Sequence, residues 1–214
     1  MIFLKKIYYC LIVINIILLI VGYKKMKAPY YSFLFLLPIV LITQVVGDLS
    51  KVYHYNRYPA FHLYIPAELV LLSFYYYQIL KRENNKRLVL ICCLLYAVVT
   101  VFIYIRSPYL FFSSGFFDFV ILSVIVIILT IIYFVEEIRD ENEYIFHEQP
   151  AFWINIGHLL FYPGCLLVMG FNNYLENHYP AISSKVMYIN NCLNLLLYSL
   201  YIKGFICILK AKKY

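Results

Sequence analysis

Seven apolar stretches, each long enough to cross a bilayer, fill almost the whole chain. A hydrocarbon core about 30 Å thick needs roughly 20 apolar residues at about 1.5 Å of helical rise each. With no water to satisfy backbone polar groups in lipid, such runs must be helical. The expected spans are Ile7–Tyr23, Tyr31–Gly47, Ala60–Leu80, Leu88–Ile105, Gly115–Val135, Ala151–Phe171 and Val186–Leu209. The second and fourth, at 17 and 18 residues, are expected to be among the shortest. The fold class that follows is all-α, a polytopic seven-transmembrane-helix bundle, with residues 1–214 as a single transmembrane domain. The first run is read as a retained span, because it ends in YKKMK without a small-residue cleavage site.

Composition supports a lipid solvent. The chain is 64% hydrophobic and 14% charged, against about 25% charged in a soluble domain. Its net charge of +7 comes from Lys and Arg lying between spans, where they act as topology signals and meet anionic lipid. Nucleic acid is therefore not expected as a partner. With the N-terminus outside, inner segments hold eleven Lys and Arg and outer segments six, Lys203 lying inside the last span. The positive-inside rule then gives N-out and C-in, and a cytoplasmic (inner) membrane location.

The six cysteines, Cys10, Cys92, Cys93, Cys165, Cys192 and Cys207, all fall in apolar runs. Buried thiols of this kind behave as small hydrophobes, so neither a disulfide nor a metal site is expected. No cofactor motif is present. The longest inner loop, residues 136–150, carries six acidic residues. It is read as a solvated helical extension of span five, or as a docking surface for a cytoplasmic protein partner.

Ionisable and amide side chains inside spans are costly and tend to mark function. Glu68 lies eight residues into span three, close to Pro66, which removes a backbone N–H and leaves the His62 carbonyl without its helical partner. Tyr64 and Tyr75 share the Glu68 face. In span seven, Asn190, Asn191 and Asn194 fall on overlapping faces that must point into the bundle. In span six, Asn155, His158 and Tyr162 share a face, and Gly157, Gly164 and Gly170 are expected to permit close helix approach. His158 can change charge near neutral pH. Gln44, Asp48 and Asp118 join His62, Glu68 and the asparagines in the outer half, the pattern of a cavity open to the outside. Asp48 and Asp118 are expected at the interface. The candidate ligand-binding residues are thus His62, Glu68, Asn190, Asn191, Asn194 and His158. For each, the structural alternative is a hydrogen bond that ties helices together. Lys203 is expected to snorkel toward the inner interface.

No nucleophile elbow, zinc-protease motif or phosphate loop occurs in the sequence. The reading is a non-enzymatic sensory or ligand-binding module that signals to a partner. The alternatives are a small proton- or cation-coupled transporter, with Glu68 as its coupling carboxylate, and an intramembrane hydrolase using His62 or His158.

The segments LITQVVGDLS, FHLYIPAELVLLSFYYYQILK, EQPAFWINIGHLLFYPGCLLV and NNCLNLLLYSLYIKGFIC resemble a family of small seven-span inner-membrane proteins of the Bacteroidota. The matching positions are Glu68, Phe152, Trp153, Gly157, Asn191, Asn194 and Tyr198. The resemblance implies a fold and a membrane but carries no function.

Overall fold

The computed structural model describes residues 2–113, 117–139 and 148–210. Among them every long element is an α-helix and there are no strands. The seven helices are α1 (Ile2–Gly22), α2 (Tyr31–Tyr53), α3 (Tyr58–Ile79), α4 (Glu83–Arg106), α5 (Phe117–Arg139), α6 (Pro150–His178) and α7 (Pro180–Lys210). Each expected span has its helix. The helices also run past the apolar segments, because a helix need not stop where the hydrocarbon ends. In α4 the charged start Glu83–Arg87 is helical, with Lys86 Nζ bonded to Glu83 Oε1 at 2.7 Å. Glu83 sits in its first turn and Arg106 in its last, each complementing the helix dipole. The second and fourth helices are therefore not the shortest: α2 has 23 residues, α4 has 24 and α1 has 21.

Six of the seven helices are long and apolar enough to cross a membrane. The exception is α3, whose 22 residues suffice in length. Its five tyrosines, with His62, Glu68 and Ser73, lower its apolarity. Exposed faces are apolar: along α4, Leu90, Ile91, Leu94, Leu95, Val98 and Phe102 are all uncovered. Such a face is a liability in water and suited to lipid.

The ends of the helices are set locally. At the close of α2, His54 takes a left-handed conformation with φ 57°, the usual way to terminate a helix. Asn56 then accepts the Tyr58 N–H at 2.9 Å as α3 begins. Proline opens α6 at Pro150 and α7 at Pro180, where its missing N–H has no consequence. The helices continue through Pro38, Pro66 and Pro163.

The chain divides into two compact units, Ala28–Ile125 and Met1–Lys27 with Val126–Tyr214. In the first, α3 packs on both α2 and α4. Phe33, Leu37, Leu69, Leu72, Tyr75 and Tyr76 form its buried core, and Phe33 meets Tyr75 edge-on at 5.1 Å.

In the second unit α7 packs on α1 and most extensively on α6. Small residues make that contact close. A methyl on Gly204 would stand 3.0 Å from the Pro150 carbonyl oxygen, and one on Gly164 2.6 Å from Leu193 Cδ1. Gly157 faces Leu197 in the same way. Gly170 departs from expectation, with nothing within 4 Å of such a methyl.

Candidate functional site: a buried histidine–aspartate pair

Asp118 lies one residue after the start of α5, and the sequence places it at an interface. Instead it is 0% exposed. The reason is a partner 56 residues away: Oδ2 of Asp118 stands 2.6 Å from Nδ1 of His62 on α3. The other ring nitrogen, Nε2, faces the Ser113 carbonyl oxygen at 3.1 Å. The Tyr104 hydroxyl of α4 donates to the same Asp118 Oδ2 at 3.0 Å. The second carboxylate oxygen accepts the Phe119 N–H at 2.9 Å.

This network fixes where the protons must be. A carbonyl oxygen only accepts, so Nε2 must carry hydrogen. The Nδ1–Oδ2 contact then holds one further proton. Asp118 also receives a hydroxyl and an amide and lies in the first turn of α5. Such a set of donors around one carboxyl suits an imidazolium facing a carboxylate, neutral as a pair. Aromatic rings shield it. Tyr104 meets His62 edge-on at 5.7 Å, and Phe111 lies 5.9 Å from the His62 ring. Removing one partner from a buried pair of this kind typically costs about 3–5 kcal/mol, because the other charge is left uncompensated.

The geometry does not set up a nucleophile. Ser113 Oγ donates to the Leu110 carbonyl at 3.0 Å, and only the Ser113 backbone oxygen meets His62. What the site can do is hold a proton at a point where side chains of α3, α4 and α5 meet.

Glu68 is 7% exposed, below His62 on the same helix. Facing α3 is a stripe on α4 at four-residue spacing: Tyr96, Thr100 and Tyr104. Tyr96 and Thr100 are buried, and neither hydroxyl has a hydrogen-bond partner among the described residues. A buried, unsatisfied polar group costs about 1–3 kcal/mol. The i, i+4, i+8 spacing of this stripe is visible in the sequence, but nothing local marks it as buried. The sequence likewise suggests an interface for Asp118, since nothing local announces His62.

The other candidates belong to the second unit, where His158, Asn190 and Asn194 form hydrogen bonds. His158 is fully buried, with Nε2 2.7 Å from the Tyr201 hydroxyl. Cys165 Sγ donates to Asn190 Oδ1 at 3.0 Å, joining α6 to α7. Asn194 bonds its own helix, Nδ2 to the Asn190 carbonyl at 2.8 Å, and Asn191 is half-buried. A residue not singled out in the sequence, Asn15 of α1, donates to the Tyr198 carbonyl of α7 at 3.0 Å. Lys203 Nζ rests 3.5 Å from the centre of the Trp153 ring, a cation–π contact.

Most of the acidic loop, residues 140–147, lies outside the described residues. Glu136 and Glu137 belong to α5 as expected, but they are buried rather than solvated, so they are not part of an exposed docking face.

Comparison with protein-family models, with curated proteins and with solved structures finds no match for this chain.

Proposed function

We propose that the protein is a non-enzymatic sensory module of the bacterial inner membrane, seven-spanning with N-out and C-in, whose input is the protonation of the His62–Asp118 pair. The observation that carries this reading is the 2.6 Å contact between two buried ionisable groups. Buried ionisable groups in membrane helices are expensive and are retained for a task. At about 1.5 Å per residue, the 22 residues of α3 are long enough to cross the hydrocarbon, which supports reading α3 as a seventh span. In the N-out orientation the start of α3, the end of α4 and the start of α5 all lie on the outer side, so the pair would meet external protons. The resemblance to small Bacteroidota membrane proteins agrees with this location. The signal would pass to a cytoplasmic partner, for which residues 140–147 are the docking candidate.

Loss of the shared proton leaves the Nδ1 lone pair facing a carboxylate oxygen. The attraction becomes repulsion and the pair should part. The test is hydrogen–deuterium exchange on the full chain in nanodiscs across a pH series. Wild type should lose protection at the starts of α3 and α5 as pH rises, and His62→Gln and Asp118→Asn should show no such transition. An exchange pattern in wild type that does not change with pH would contradict the reading.

A proton-coupled transporter is the second reading, favoured by the burial of Glu68. Proteoliposome flux separates the two, because a sensor moves no solute.

A further inference from the structure

We propose that the seam between α3 and α4 is a water-bridged proton relay joining the His62–Asp118 pair to Glu68. The inference rests on the pair being proton-bearing and extends it to a second site.

The helices are antiparallel here. Tyr104, near the end of α4, packs on His62, near the start of α3, and the connection between them is Leu80–Arg82. Along α4, Thr100 lies about 6 Å from Tyr104 and Tyr96 about 12 Å from it, by helical rise. Along α3, Glu68 lies about 9 Å from His62 in the same direction. Glu68 is therefore level with the interval between Thr100 and Tyr96. The Tyr96 hydroxyl is within electrostatic reach of both Glu68 and Asp118. It is paired with the Thr100 hydroxyl, although neither group meets full hydrogen-bond geometry with a described residue. Two neighbouring buried hydroxyls with bonding capacity left over can be bridged by a water. Tyr104, already bonded to Asp118, supplies the upper end of the path.

Titratable groups around the seam come from each packed element. Asp118 is met by His62 of α3 and Tyr104 of α4. Glu68 shares the reach of Tyr96 with Asp118. Toward α2, Tyr30 lies against Tyr75, and Asp48 is half-buried.

The transfer is a proton movement with no redox change. The pair gives up its shared proton to the path. Each hydroxyl or water accepts one proton and passes on another, so its composition is unchanged. The Glu68 carboxylate ends as the neutral acid, and the pair is left as neutral imidazole and carboxylate. Proton arrival at Glu68 is thereby linked to the opening of the pair.

Infrared difference spectroscopy of the full chain in nanodiscs tests this. The carboxylic acid band that disappears in Glu68→Gln belongs to Glu68. Asp118→Asn should shift the titration of that band by at least about tenfold in proton concentration, the threshold of strong coupling. If Asp118→Asn does not fold, Tyr104→Phe makes the same test while removing one hydroxyl. Tyr96→Phe and Thr100→Val should each abolish the coupling and remove a water band sensitive to oxygen-18 exchange. A Glu68 band that titrates identically in wild type, Asp118→Asn and Tyr104→Phe overturns the relay, as does a water spectrum unchanged by both hydroxyl deletions. If either result comes with a wild-type pair that still responds to pH, the relay fails and the sensory reading stands. A wild-type pair that does not respond defeats both.

Discussion

In the Ala28–Ile125 unit, buried polar side chains meet as charged partners: His62 and Asp118 stand 2.6 Å apart, with Tyr104 on the same carboxylate. In the unit formed by Met1–Lys27 and Val126–Tyr214, α7 is tied to α6 and α1 by neutral partners instead. His158 bonds a tyrosine, Asn190 a thiol and Asn15 a backbone carbonyl. Glycines bring α6 and α7 close enough for dispersion to act. The second pattern holds helices together with no dependence on proton concentration. The first cannot lose a proton and keep its geometry. A pH-dependent event at the pair should therefore leave the contacts of α7 with α6 and α1 as a fixed support.

The largest effect that would break this contrast comes from Asp118→Ala. It leaves a buried imidazolium without a counter-charge and should cost about 3–5 kcal/mol, read as a fall in midpoint in a thermal or denaturant melt in mild detergent. His62→Gln,Asp118→Asn together, which removes both charges, should recover much of that loss. A double variant no better than Asp118→Ala would mean that the pair is not coupled.

Gly204→Ala comes next. Its methyl would press on the Pro150 carbonyl at 3.0 Å and on Ile154 at 3.2 Å, and overpacking of this kind costs about 1–3 kcal/mol. The loss should be the same at every pH, because no titrating group is involved. Gly170→Ala, with open space around it, should be close to neutral in the same melt. A pH-dependent Gly204→Ala penalty would undo the distinction between the units.

Asn15→Leu should cost about 0.6–2 kcal/mol, the range for hydrogen bonds between membrane helices, again without pH dependence. The smallest effect is a gain. His54 holds φ 57°, a conformation glycine adopts freely, so His54→Gly should stabilise by a few tenths to about 1 kcal/mol. A measured loss there would show that the His54 side chain does more than end α2.

The helices were legible in the sequence because lipid leaves a hydrophobic run no other way to satisfy its backbone. Their ends were less so. Charged flanks such as Glu83–Arg87 read as loop, yet they fold as helix once an apolar segment nucleates it. At the site, His62 and Glu68 stood out as polar residues in apolar surroundings. Asp118 did not, since a carboxylate close to a span end looks solvated until its partner is known, and that partner is 56 residues distant. Tyr96, Thr100 and Tyr104 were hidden by abundance: in a chain with 24 tyrosines, a stripe of hydroxyls resembles interfacial anchoring. Glu136 and Glu137 were misread in the opposite direction, because a run of acidic residues suggests solvent whatever the helix beside it buries.

The central claim is that His62 carries a proton on Nε2 for the Ser113 carbonyl and shares a second with Asp118. Solid-state nitrogen-15 NMR of histidine-labelled protein in lipid, with His62→Gln for assignment, reads this directly. The account predicts two protonated ring nitrogens at neutral pH, with a strongly hydrogen-bonded proton correlated to both Nδ1 and the Asp118 carboxyl carbon. At higher pH that proton should disappear together with the exchange protection of α3 and α5. A His62 ring found as the neutral tautomer with hydrogen on Nδ1 alone, unchanged across the same pH range, would contradict it.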